Sequence, residues 1–199
     1  MKKYHYHIYF FFFCVFFFFS LIGNAQKSLS YEFYNKTECL GIGLVKIEKQ
    51  LIVIKNQQLN KEIEEDIYNP KHIVPLFFKP DYDIFYMVCL ERQKAYYKVL
   101  SATGDIYFVP KAEAKFVSWA KFVRNTTGVT NLNWEQNPLQ EAPSEKSKMI
   151  RIKDKEATYR VINVKGDWIE IQNEHNAHEK GWIRWRKADS LLIEVYLLI

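Results

Sequence analysis

Pro75-Leu76-Phe77-Phe78-Lys79-Pro80-Asp81 and Pro138-Leu139-Gln140-Glu141-Ala142-Pro143-Ser144 carry one pattern, P-L-x-x-x-P-[DS], 63 positions apart in a chain of 199 residues. Each precedes aromatic-rich strand text. Ala95-Tyr96-Tyr97-Lys98-Val99 follows the first; Asp167-Trp168-Ile169-Glu170-Ile171 and Gly181-Trp182-Ile183 follow the second. A repeat at this spacing predicts two copies of one small all-β module.

The text around the repeat is consistent with that prediction. Leu51-Ile-Val-Ile54, Ile84-Phe-Tyr-Met-Val88, Tyr96-Tyr-Lys-Val-Leu100, Tyr159-Arg-Val-Ile-Asn-Val164, Trp168-Ile-Glu-Ile171 and Leu191-Leu-Ile-Glu-Val-Tyr-Leu197 are short and rich in β-branched or aromatic residues. Polar residues and glycine bound them, as in strands. Lys165-Gly166-Asp167 reads as a tight turn, because glycine accepts positive φ. Short strands at this spacing predict a barrel or sandwich rather than a parallel sheet. One stretch differs: Phe116, Trp119, Ala120 and Val123 recur at three- and four-residue steps, which predicts one short helix near 112–124. The expected organisation is an N-terminal β segment over 26–70 packed on a first module over 71–124. A linker over 125–136 and a second module over 137–199 follow.

The first 25 residues read as a leader rather than as fold. Lys2 and Lys3 precede an apolar run over 8–23, and Gly23-Asn24-Ala25 supplies small residues before Gln26. That run is shorter than the roughly 20 residues of a spanning helix. Export with cleavage is therefore expected, to the periplasm or beyond the cell, with no stable membrane span afterwards; retention as an anchor is the alternative. Cys39 and Cys89 then remain in an oxidising compartment, and an even count there predicts a disulfide between them. Such a bridge would contribute on the order of 4 kcal/mol in the chain-entropy model; two buried thiols are the alternative. Without Lys2 and Lys3, the 28 basic residues become 26 against 23 acidic ones. Basic residues do not cluster, which argues against a nucleic-acid partner.

The second copy resembles the bacterial SH3-type domain over about 134–190. Asn137-Pro138-Leu139, Pro143-Ser144, Ser147-Lys148-Met149-Ile150, Gly166-Asp167-Trp168-Ile169-Glu170-Ile171 and Gly181-Trp182-Ile183 fall in that family's order. Gln140 and Glu141 stand where the family carries an arginine. The first copy, about 71–124, is more degenerate. It keeps the proline-bounded loop, Tyr96-Tyr97-Lys98-Val99, and Gly104 with Tyr107-Phe108-Val109. The resemblance implies a mainly β chain of tandem SH3-like small barrels that binds or targets, often toward cell-wall peptide or protein.

Strand periodicity sharpens the site. If Ile169 and Ile171 face the core, Trp168 and Glu170 face away from it. In the closing strand Trp182, Arg184 and Arg186 alternate with Ile183 and Trp185. Trp168, Trp182, Arg184 and Arg186, flanked by Asn137 and Glu141, are the candidate ligand-binding residues. Tryptophan and arginine supply much of the binding energy at interfaces, and guanidinium forks suit a carboxylate. The alternative is that this aromatic face packs internally or between subunits.

Other chemistry finds less support. His175, His178, Glu174 and Glu179 are metal-ligand types at close spacing, but they sit in an apparent hairpin loop without the rigid framework zinc needs. Asp81-Tyr82-Asp83 lacks the further acidic positions and glycine of a calcium loop. No Gly-x-Ser-x-Gly elbow or phosphate loop is present. The reading is an exported, non-enzymatic protein without cofactor or metal, binding a peptide, cell-wall or envelope protein component. A structural interaction protein and an unrecognised cell-wall hydrolase are the competing readings.

Overall fold

Short alternating runs become strands throughout the computed structural model, which describes residues 39–198; the expected leader lies outside the described residues. The strands in chain order are β1 (Gly43–Ile47), β2 (Leu51–Asn56), β3 (Lys61–Asp66), β4 (Phe77–Lys79), β5 (Ile84–Arg92), β6 (Tyr96–Leu100), β7 (Ile106–Pro110) and β8 (Ala114–Val117). After helix α1 (Trp119–Arg124) come β9 (Gly128–Asn131), β10 (Tyr159–Lys165), β11 (Trp168–Asn173), β12 (Lys180–Arg184), β13 (Arg186–Lys187), β14 (Ser190–Leu191) and β15 (Ile193–Tyr196). The chain is mainly β, in three antiparallel sheets.

The two larger sheets share an order of strands. The larger sheet runs β3-β2-β7-β6-β5-β1-β8 with β4 on β5, and the smaller runs β12-β11-β10-β9-β15. In each, a first strand (β1 or β9) lies between the last strand (β8 or β15) and a meander of three (β5-β6-β7 or β10-β11-β12). Both P-L-x-x-x-P stretches fall on the long connection from first strand to meander. Leu76 and Leu139 are fully buried in the same apolar cluster, so the shared Pro-Leu anchors that connection twice. Neither path closes on itself, so the expected closed barrels are open sheets.

Alternation along the strands builds two cores. Val45, Ile47, Ile52, Ile54, Phe85, Met87, Val99, Tyr107 and Val109 line one cluster inside the larger sheet. Leu44 and Val88, on the opposite pleats of β1 and β5, join the second cluster with Ile169, Ile171, Ile183 and Trp185 of the smaller sheet. Helix α1 completes that second core with Trp119, Phe122 and Val123. Ser118 caps the helix by accepting a hydrogen bond from the Lys121 amide, satisfying one orphan donor of its first turn. Trp119 meets Trp185 at 5.9 Å between ring centroids, and its indole donates to the Leu40 carbonyl.

Several boundaries differ from expectation, for one physical reason. Strands β1–β3 lie within 26–70, and the first two pair with strands of the first module. β1 pairs with both β5 and β8, and β2 pairs with β7. The presumed linker 125–136 holds β9, the strand between β10 and β15. In both modules the first strand is separated from its meander by a long connection, so sequence proximity misassigns it. The expected helix over 112–124 is confined to Trp119–Arg124; residues 111–113 form a 3-10 turn and 114–117 are strand β8. The final strand text is broken into β14 and β15, and β15 completes the smaller sheet against β9.

Cys39 and Cys89 are not joined by a disulfide. Cys89 is paired opposite Gly43 within β5 and its side chain joins the inner cluster of the larger sheet. Cys39 precedes the turn at Gly41 (φ +52°), where the Ile42 amide is already bonded to the Cys89 carbonyl. The Cys89 thiol donates to the Glu91 carbonyl at 3.6 Å, and burial pushes its pKa up to about 11.

Candidate functional site

The register of β11 against β12 fixes the site. Trp168 lies opposite Arg184, Glu170 opposite Trp182, and Gln172 opposite Lys180. Ile169, Ile171 and Ile183 between them are fully buried, so these pairs share the outer face, as strand periodicity requires. The Arg184 guanidinium stacks over the Trp168 ring at 4.9 Å, a cation–π arrangement. Glu170 pairs with Lys180 at 2.9 Å. Trp168 and Trp182 are each part-exposed, and the tryptophans that pack internally are Trp119 and Trp185.

Asn137 is a correction. It was expected to flank this face as a ligand contact, and it is buried. Its amide nitrogen donates to the Arg184 carbonyl at 2.8 Å and its oxygen accepts from the Arg184 amide at 3.0 Å. A side-chain amide carries one donor group and one acceptor, so it can imitate the two-way bonding of a strand residue. Asn131 binds the same unit: its amide nitrogen donates to the Asn137 carbonyl at 2.6 Å. Asn137 thus positions β12 from behind and touches no open surface.

The connection then becomes an edge. Gln140 exchanges backbone hydrogen bonds with Trp182 at 2.9 and 2.8 Å. Gly181 permits this approach, since a Cβ there would meet the Gln140 carbonyl oxygen at 2.7 Å and Leu139 at 2.9 Å. The Gly-Trp pair is therefore a packing requirement followed by a displayed ring. Residues 141–148 fold back as a strap, with the Glu141 amide on the Lys148 carbonyl and the Glu141 carboxylate paired to the Lys148 ammonium at 3.2 Å. Glu141 is exposed but occupied by that lysine. From the strap, Glu145 reaches Arg184 Nη2 at 2.8 Å.

Arg186 is displaced from the predicted row. It belongs to β13, and its Nε pairs with Asp167 at 2.6 Å while the guanidinium lies over Trp185 at 4.8 Å. The tryptophans and Arg184 come together; Glu141 and Arg186 border them. Sequence reasoning missed Gln140 and Glu145, and its one signal was that Gln140 stands where the resembled family carries arginine.

A second polar cluster lies on the buried side of the smaller sheet. The Tyr159 hydroxyl donates to the Glu179 carboxylate, which also accepts from the Asn173 amide at 3.0 Å and the Lys153 backbone at 3.4 Å. Burial, reinforced by Glu179, raises the Tyr159 phenol well above its usual pKa. For Glu179 burial acts upward, but the hydrogen bonds from Tyr159, Asn173 and Lys153 outweigh it and hold the carboxyl below its ordinary range. Glu179 therefore turns inward, away from His175 and His178. Their amides are taken by Asn173 and Asn176 side chains in successive local turns. Among the described residues no group of three potential metal ligands gathers. On the far side of the module, Trp134, Leu132, Glu194 and Tyr196 border a groove of about 520 Å³.

The geometry defines a mainly β scaffold with a five-strand order common to two sheets and an aromatic–basic outer face on the smaller one. No protein-family model matches the chain, and no curated protein matches it either. Among solved structures, NlpC2 from Trichomonas vaginalis is 12% identical, with 71% of this chain and 45% of that one covered and a TM-score of 0.27. NlpC1 from the same organism gives 10%, 71%, 43% and 0.26. The chain spans less than half the length of either, and a likeness this low carries no argument about fold or activity. Among the described residues no helix is long and apolar enough to cross a membrane.

Proposed function

We propose that this is an exported, non-enzymatic protein of two SH3-like modules that binds a peptide or cell-envelope component on the outer face of β11 and β12. The observation that carries the reading is the single surface on which Trp168, Trp182 and Arg184 stand together, with Arg184 stacked over Trp168. Such a surface offers flat apolar area beside a fixed cation, the combination that dominates interface energetics. The two-module reading is supported by the same strand order in both sheets, with the proline-bounded loop in the same place. Trp119 and Trp185 already supply the internal aromatic packing, which favours binding over the alternative of an internal interface.

The test is co-sedimentation of the purified mature chain with an isolated cell-envelope fraction. Wild type is expected to sediment with the fraction. Trp168→Ala and Arg184→Ala are expected to stay in solution while keeping the wild-type circular dichroism spectrum. Equal recovery of all three would refute the face.

A further inference from the structure

Arg184 offers an unfinished hydrogen-bonding edge. A guanidinium binds a carboxylate side-on through Nε and Nη2, two parallel donors that meet two oxygens. Here Nη2 holds one oxygen of Glu145, while Nε is buried with no hydrogen-bond partner. Beside it, Gln140 is 5% exposed and its Oε1 is likewise buried without a partner. Gln140 is bridged directly to Trp182. Directly opposed residues of antiparallel strands project to one face, so the Gln140 side chain stands on the Trp182 side of the sheet. A donor and an acceptor left unmet at neighbouring positions are costly to bury and uncommon in folded proteins.

Glu145 is a poor permanent partner. Its side chain is 69% exposed, and it is carried by a strap whose other polar bonds run largely within 141–148. The neighbouring arginine shows the contrast: Arg186 uses Nε on Asp167, which lies beside it at the hairpin turn. An exposed ion pair is worth about 1 kcal/mol or less, so a competing carboxylate meets little resistance.

We propose that Arg184 is a receptor for a carboxylate at a peptide chain end, and that Glu145 occupies it in the absence of ligand. Resting on the binding face proposed above, this names that face's ligand class and its regulation. The incoming carboxylate takes Nε and Nη2 together and releases Glu145. The amide N–H preceding it donates to Gln140 Oε1, and the adjoining side chain lies between Trp168 and Trp182. The strap, which continues beyond the second P-L-x-x-x-P motif, is thus an internal competitor.

The experiment titrates acetyl-Ala-Ala with a free C-terminal carboxylate, and the same peptide as its C-terminal amide, against the full mature chain, following tryptophan fluorescence. The free acid is expected to bind and the amide to fail. Glu145→Gln is expected to strengthen binding of the acid by about twofold to fivefold, the range an exposed ion pair spans. Arg184→Gln is expected to abolish it. Equal response to acid and amide, or no gain with Glu145→Gln, would overturn the proposal. If those outcomes appear while Trp168→Ala still loses envelope co-sedimentation, the binding face stands and only the carboxylate assignment falls. If co-sedimentation is also indifferent to Trp168, the face itself falls.

Discussion

Strands β7 and β12 end equivalent meanders, and what lies against each of them differs. Along β7 the neighbour is β2, half of a hairpin whose six residues are registered one by one against β3. Its inward side chains Ile52 and Ile54 are buried in the core of the larger sheet. Along β12 the neighbour is a single bridging residue, Gln140, with the Asn137 side chain standing in for a second. One edge is sealed by a paired hairpin and the other, beyond the buried Leu139, by a few polar bonds. An edge held by polar bonds can exchange them for those of a ligand, which is why the candidate site lies on the second module.

Removing part of the hairpin tests the contrast most severely. Ile54→Ala deletes a side chain that is fully buried between β2 and the rest of the core. Its expected cost is about 2–5 kcal/mol, from lost transfer energy and residual cavity. The denaturant midpoint measures it. Because Leu44 and Val88 of the larger sheet share a cluster with the smaller one, loss of stability is expected in a single transition covering both sheets. Two separate transitions would break the picture of a shared core.

Next comes the polar clamp. Asn137→Ala leaves the Arg184 amide and carbonyl without their partners at the edge of β12, an expected cost of about 1–3 kcal/mol for buried groups stripped of a hydrogen bond. Gly181→Ala attacks the same edge sterically, forcing the Gln140 carbonyl away from a new Cβ. Both variants are expected to expose Trp182, read as a red shift in its emission. A neutral effect of Asn137→Ala would mean that the strap, not the clamp, holds β12.

Much of this was legible in the sequence, and the illegible parts have common causes. The alternation through Trp168-Ile169-Glu170-Ile171 and Trp182-Ile183-Arg184-Trp185 placed each side chain on its observed face, because β11 and β12 pair without a bulge to break period two. The duplicated Pro-Leu marked two equivalent connections. The partners of β1, and β9 as a strand at all, were not legible: both meet their neighbours across long connections, and pairing at that distance leaves no local trace. Nor was the role of Asn137, whose amide looks the same in sequence whether it meets a ligand or a neighbouring backbone. Arg186 kept the alternation but lost the face, because β12 ends at Arg184 and Asp167 draws the next guanidinium aside. Cys39 and Cys89 are not bridged, and Cys39 lies ahead of β1 in no strand, a placement that a cysteine count does not contain.

Smaller still at neutral pH is the effect expected of Glu179→Gln, which keeps an acceptor for Tyr159 but removes the charge. The wild-type carboxyl titrates below its ordinary range when folded. Its stabilisation is therefore present above the unfolded value of about 4.3 and lost as pH falls through the folded one. Tyr159 acts at the opposite end. Its raised phenol contributes fully below about pH 10, and that contribution is lost as pH rises through its folded value. Denaturant midpoints from pH 7 down to 3 are expected to fall more steeply for wild type than for Glu179→Gln. Parallel profiles would remove Glu179 from the acid response.

The smallest effect is expected where the two edges differ most. Glu145→Ala removes the strap's ion pair with Arg184, and because that carboxylate is largely exposed the cost should stay within about 1 kcal/mol and vanish at high salt. The hairpin offers no comparable variant, since its hold on β7 is made of buried isoleucines and ladder bonds that salt does not weaken. A loss well above 2 kcal/mol from Glu145→Ala would make the strap as structural as the hairpin, and Arg184 would then be a strut with no vacancy to offer. A near-zero loss leaves the guanidinium in place over Trp168 with its Nε unpartnered. The second module would then differ from the first in having kept one polar position that the fold does not need.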